Sequence, residues 1–335
     1  MQRFLTIFIS LACLLLVPPA VDAQDALRGD AFTDPDVVQQ MPSDWLKKPI
    51  THDPAAGEAD LVVTLDQHLY HFLPRAIAEY AAENDLRIVV SEGTCGITAG
   101  KLVRKSADIG GYCCPPGITD RLPGLRFHTL GILPIQILVH PDNLIDDITL
   151  QQAREIFQGR IYRWSEIKDS TGQPGPELVI QTIGRLHCKI RPGHWRLLLD
   201  NEDLFGPRLQ EVGTIPDMIS LVANSPDAVG YEVGMMIERY REEGRVKFLT
   251  IDGLKPNADN LQDRRYPLYR TLNLTTWEGE EVENPEADKL VEYLLQLGNH
   301  LGEVYGFVPA EILRKEGWQF KGNELVGEPG KVAAK

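Results

Sequence analysis

The chain has 335 residues, 43% of them hydrophobic and 24% charged, an ordinary globular composition that excludes collagenous, low-complexity and wholly disordered classes. Thirty-four Lys and Arg against 48 Asp and Glu give a net charge of -14, which argues against a nucleic-acid partner and against docking on anionic lipid heads. At roughly 150 residues per domain the length suggests about two domains or lobes.

In chain order, Met1-Gln2-Arg3 is a short basic start to an apolar run, Phe4 to Val17, closed by Pro18-Pro19. Val21 and Ala23 stand before a cut that leaves Gln24 first, so residues 1–23 read as a cleaved secretory signal. The run is shorter than the roughly 20 residues of a membrane span. The mature chain is therefore expected in the periplasm, where disulfides persist. Residues 24–58 mix Asp, Pro, Gly and Ala without periodicity and are expected to form a loose lead-in. Leu61-Val62-Val63 and Arg87-Ile88-Val89-Val90 read as buried strands around a helix over Pro74 to Glu83. Thr149 and Gln152 form a capping box ahead of an amphipathic helix that Gly159 closes. Glu177 to Ile183 reads as a strand, and Asn284-Pro285 opens a last helix with Leu290, Leu294 and Leu297 on one face. Alternating strands and helices imply an α/β fold with mostly parallel sheets. Residues 313–335, rich in Gly, Lys and Glu, are expected to pack little.

Three segments carry a family resemblance. Ser91-Glu92-Gly93-Thr94-Cys95-Gly96-Ile97-Thr98-Ala99-Gly100 with Ala107-Asp108-Ile109-Gly110 resembles a glycine-rich anion loop, its helix and an "ADIG" strand. His140-Pro141-Asp142-Asn143, Ile156-Phe157-Gln158-Gly159-Arg160-Ile161 and Trp164-Ser165-Glu166-Ile167 follow in the order and spacing of an "NPDNP…DIFTGKITNWSEL" signature. Val222 to Tyr231, then Tyr266-Pro267-Leu268-Tyr269-Arg270, resemble "V…TPGAIGY" and "YPLYRPL". Together, over about residues 60 to 310, they are similar to the PstS-like phosphate-binding family of periplasmic ABC-transporter solute receptors. The resemblance implies a two-lobed periplasmic-binding-protein (type II) fold: residues 59–136 and 262–312 in lobe 1, residues 137–261 in lobe 2, and a ligand cleft between them. It also implies a non-enzymatic monomer with no required cofactor, serving an ABC permease or a membrane sensor.

The pocket segments depart from that family. Asp66, Gln67 and His68 replace the hydroxyl donors of its first loop, with His71 just beyond. Thr94, Cys95 and Gly96 stand at the anion loop, where Cys95 takes a serine's place. Cys113 and Cys114 follow the "ADIG" strand, and Arg185 is retained ahead of His187, Cys188 and His194, where the family's Ser-Gly-Thr-Arg is lost. Every cysteine of the mature chain thus falls in a segment the family aims at its ligand. Ordinary N-capping is the competing role for Thr94, and a lobe-bracing ion pair the competing role for Arg185. The cysteines admit two disulfides, one disulfide with two ligating thiols, or a thiolate site helped by His68, His71, His187 or His194. The expected ligand is accordingly a phosphate-like oxyanion held through Arg185, or a soft metal ion or metalloid held by Cys95, Cys113, Cys114 and Cys188. A redox or catalytic cysteine protein on the same fold is the alternative.

Overall fold

The computed structural model describes residues 32–186, 198–199 and 204–330. The expected signal segment and three candidate site residues, His187, Cys188 and His194, lie outside them.

Thirteen strands are present among the described residues: β1 (Leu61–Asp66), β2 (Ile88–Gly93), β3 (Ile109–Tyr112), β4 (Leu125–Val139), β5 (Asp147–Ile148), β6 (Gln181–Gly184), β7 (Gln210–Glu211), β8 (Ala228–Val233), β9 (Lys247–Ile251), β10 (Tyr269–Trp277), β11 (Val308–Pro309), β12 (Gln319–Lys321) and β13 (Glu324–Gly327). The main sheet runs β2-β1-β3-β10-β4-β8-β6-β7, with β9 and β11 also on β4. The α/β reading holds, with one refinement. The outer pairs β1–β2, β1–β3, β6–β8 and β6–β7 are parallel, whereas β3–β10, β10–β4 and β4–β8 through the centre are antiparallel.

The long β4 joins the two ends of this path. Leu125 to Pro134 pair with β10, and Ile135 to Val139 pair with β8. Pro134 sits at the exchange of partners, where a residue without an N–H costs the ladder least. β1 is buried at every position and β10 likewise, as expected of strands covered on both faces.

Several strands end at one edge of the sheet. β1 runs into the helix Gln67–Glu83, whose first turn is capped by the Asp66 carboxylate accepting from the His68 and Leu69 amides. That helix starts seven residues earlier than the proline suggested. Pro74 lies inside it, because the Asp66 cap and the buried face of Leu69, Phe72, Leu73 and Ile77 outweigh the lost backbone bond. β2 is followed by the helix Cys95–Val103, and β8 by the helix Gly234–Arg239. The Thr149–Gln152 capping box forms as expected, and Gly159 closes that helix in the left-handed conformation. The strand expected over Glu177–Ile183 narrows to Gln181–Gly184.

Two expectations of loose packing are corrected. In the lead-in, Trp45 Nε1 donates to the Val103 carbonyl at 2.7 Å, and His52 Nε2 lies 2.7 Å from Asp108 Oδ2. Along the tail, Leu313, Trp318 and Leu325 are buried, and the β12–β13 hairpin brings Glu324 to Arg121. Composition missed both, since a few large apolar side chains anchor segments that are otherwise polar.

Candidate functional site

The site is built where strand ends meet. β1 ends in Asp66 with Gln67 and His68 just after it, Cys113 and Cys114 follow the end of β3, Arg185 follows the end of β6, β8 contributes Glu232, and β10 opens with Tyr269-Arg270. Ligands of open α/β sheets bind at such carboxyl ends. Gly111 allows the close approach: a Cβ there would stand 2.7 Å from Leu65 and 2.8 Å from Leu69 side-chain carbons. Close packing of β3 under β1 thereby brings Cys113 beside Asp66 and His68, with ligand atoms of all three within 4.8 Å of one another.

His68 is 1% exposed and lies between two carboxylates. Its Nδ1 is 2.8 Å from Asp66 Oδ2 and its Nε2 is 3.0 Å from Glu232 Oε1. The two carboxylates favour the imidazolium, while Arg270 Nη1, 3.1 Å from Nδ1 and 2.5 Å from Nε2, opposes it. Burial and the Arg270 guanidinium oppose that charge, but Cys113, Asp66 and Glu232 outweigh them and hold His68 well above the usual histidine value.

Glu232 is the hub. Arg185 Nη1 donates to its Oε2 at 3.0 Å, the Val233 amide donates to its Oε1 at 2.9 Å, and Arg270 Nη2 lies 3.5 Å from Oε1. Burial works against its ionisation, yet Arg270, His68 and Arg185 together hold its carboxyl well below the usual range. Asp66 moves the other way, raised first by burial and then by the Cys113 sulfur, with His68 resisting. Arg185 also donates from Nη2 to Gln67 Oε1 at 3.2 Å and from its backbone N–H to the Tyr231 hydroxyl at 3.0 Å. The Nε groups of both Arg185 and Arg270 are buried without a hydrogen-bond partner.

Beside this ionic cluster lie three buried cysteines, Cys95, Cys113 and Cys114. Cys95 and Cys113 Sγ are 3.5 Å apart, and the sulfurs of Cys95, Cys113 and Cys114 all lie within 4.8 Å of one another. A hydrogen bond from Cys114 pulls the Cys113 thiol below the usual value against Cys95 and burial, and His68 adds to the pull.

Of the expected site residues within the described chain, Asp66, Gln67, His68, Cys95, Cys113, Cys114 and Arg185 converge. Thr94 and Gly96 stand apart: Thr94 Oγ1 caps the Ile97 amide at 3.3 Å, and Gly96 is exposed. His71 stacks edge-on with Tyr305 instead. Glu232 and Arg270 were not singled out from the sequence. Their signal was adjacency, since Glu232 follows Val229-Gly230-Tyr231 and Arg270 closes Tyr266-Pro267-Leu268-Tyr269.

No known family model matches the chain. The phosphate-binding protein PstS of Bacillus subtilis (strain 168) is 26% identical over 144 residues, 42% of this chain and 44% of that protein, so the match spans less than half of that relative. The phosphate-binding protein PstS of Staphylococcus saprophyticus is 22% identical over 265 residues, covering 76% of this chain and 81% of its own. Among solved structures, a putative phosphate ABC transporter substrate-binding protein from Clostridium perfringens aligns with TM-score 0.62 at 14% identity, over 74% of this chain and 98% of its own. An ABC-type phosphate transport receptor from Vibrio cholerae aligns with TM-score 0.57 at 17% identity, over 74% and 99%. At those identities the structures establish the fold, and the sequence matches carry the same family name as the ordered motifs. In sequence the chain resembles phosphate-binding PstS proteins, and in architecture it has the periplasmic-binding-protein fold.

Proposed function

We propose that the chain is an exported, non-enzymatic solute receptor that takes a small inorganic ligand between two lobes and presents it to an ABC permease or a membrane sensor. The observation that carries this reading is the bridge made by Gln67–Arg185 and His68–Glu232, which ties the β1 end of the sheet to the β6–β8 end through one half-buried and one buried contact. The lobes are residues 59–136 with 262–312, and residues 137–261, an assignment supported by the change of partner along β4. Export is supported by the basic start and apolar run at residues 1–23. No helix among the described residues is long and apolar enough to cross a membrane.

Two ligand chemistries have support. The unpartnered Nε groups of Arg185 and Arg270 suit an oxyanion, and the three sulfurs suit a thiophilic ion. The test is thermal denaturation of the reduced mature protein with phosphate, arsenate, sulfate, arsenite or Cu(I), paired with small-angle scattering. A true ligand at about 100 times its dissociation constant stabilises by roughly 2.7 kcal/mol and compacts the two lobes. If none of these ligands shifts melting or the scattering curve, the receptor reading fails. If an oxyanion is the ligand, Arg185→Ala removes most of the gain.

A further inference from the structure

We propose that Cys95, Cys113 and Cys114 form a three-sulfur site for a thiophilic ion of trigonal coordination, As(III) or Cu(I) in chemistry. The inference rests on the solute-receptor reading for its setting and names the ligand class of that same site.

The first argument is geometric. Sulfurs 3.5 Å apart match the separation that two bonds of about 2.3 Å subtend at an angle of roughly 100°. Neighbouring residues of an extended strand point to opposite faces. The backbone bends at Cys113 and Cys114, just past the end of β3, and both sulfurs come within 4.8 Å of Cys95. A structural disulfide needs two sulfurs, and a bridge between sequence neighbours strains the backbone. Convergence of a third thiol is what a trigonal ligand set requires.

The second argument concerns what else is free to bind. His68 is adjacent, but both of its ring nitrogens already face carboxylates and the Arg270 guanidinium, so the imidazole is committed to the ionic cluster. The Glu232 carboxylate occupies the focus of Arg185, Arg270 and His68, where an oxyanion would otherwise be held. On their other side the thiols border an apolar cluster with Leu102, Tyr112, Phe127 and Trp277. A neutral hydroxide such as arsenous acid enters such a place without the cost of burying a charge. Its exchange is balanced without any redox step: three As–O bonds break, three As–S bonds form, and the three thiol protons leave with the hydroxides as three waters.

The experiment uses the full mature chain, purified anaerobically in a reducing buffer and given arsenite alone or Cu(I) alone. X-ray absorption at the arsenic edge should report three sulfur neighbours at about 2.3 Å and no oxygen. Cys95→Ser, Cys113→Ser and Cys114→Ser should each weaken binding on the order of a hundredfold or more, at or beyond the upper end of what losing an outer-shell partner costs. The coordination number is measured on the unaltered chain, so a variant that fails to fold does not decide the result. Three sulfurs around Cu(I) in place of arsenic would support the same site. Binding of neither ion, an oxygen-only shell, or a fourth sulfur overturns the inference. Lobe closure on phosphate with no arsenite or Cu(I) bound would overturn it and leave the receptor reading standing. Three-sulfur binding with an unchanged scattering curve would do the reverse.

Discussion

Arg121 with Glu324, and Arg185 with Arg270 and Glu232, are both buried ionic groups, yet they are completed differently. Arg121 has every nitrogen engaged: Nε donates to Thr33 Oγ1 at 2.9 Å, Nη1 to Glu324 Oε2 at 3.2 Å, and Nη2 to Glu324 Oε1 at 2.7 Å and to the Thr33 carbonyl at 2.9 Å. In the other network the carboxylate is over-supplied with cations, while the Nε groups of Arg185 and Arg270 have no partner. The acids respond in opposite directions. Burial raises Glu324, and Arg121 only partly offsets it, whereas three cations overcome burial at Glu232. A pair with all donors engaged holds a hairpin to the sheet. In the second network charge is concentrated on one residue and donors are left over, which an ordinary fold-bracing pair does not show.

The largest expected effect separates the two glutamates. Glu232→Ala leaves Arg185 and Arg270 without their carboxylate and His68 with Asp66 alone, and should cost about 3–5 kcal/mol in urea denaturation, the usual range for breaking a buried pair. Glu324→Ala belongs to the same range, at its lower end, since Thr33 still accepts from Arg121. Added phosphate distinguishes them more sharply than the loss itself. It should restore part of the stability of Glu232→Ala by entering the cationic focus and do nothing for Glu324→Ala. An equal response of both variants would break the comparison.

That contrast also locates what the sequence made legible. The family signature and the positions of Asp66, His68, Cys95, Cys113 and Arg185 were readable because local motifs fix strand ends and helix starts. Glu232 and Arg270 were not, since their importance arises from pairing between β8, β4 and β10, which are far apart in the chain. Proline alone reads as a helix start at Pro74, and only the Asp66 cap and tertiary packing extend the helix back to Gln67. Arg185 shows both sides. Its retention was visible, and the partner that takes its fork was not.

Arginine-to-lysine changes sharpen the comparison at intermediate size. Lysine keeps the charge but not the planar fork. Arg121→Lys gives up bonds to Thr33 and one of the two to Glu324, a loss of roughly 2–3 kcal/mol when bonds to charged groups are counted at about 1.5–3 each and partly regained. Arg185→Lys gives up chiefly the Gln67 contact, because its Nε bonds to nothing, and should cost about 1 kcal/mol. Equal losses in paired denaturation curves would mean that the unpartnered donor is not a real difference between the sites.

The smallest expected effect is the pH dependence, where the two acids should carry opposite signs. Glu232 has a folded pKa below its unfolded value near 4.3, so its contribution is fully present above about pH 4.3 and is lost only as pH falls through the folded value in strong acid. Glu324 has a folded pKa above that value, so the folded chain holds its proton more tightly. Its contribution is complete below about pH 4.3 and declines as pH rises through the folded pKa. Asp66 is raised as well and shares that sign, so the measurement is a difference between variants and not the bare wild-type curve. Stability should be followed from pH 7 downward for the wild type, Glu324→Gln and Glu232→Gln. Glu324→Gln should flatten the gain on mild acidification, and Glu232→Gln should remove part of the loss in strong acid. If both substitutions act in the same window, the carboxylates share one electrostatic setting, and the surplus of cations at Glu232 no longer distinguishes that site from an ordinary buried pair.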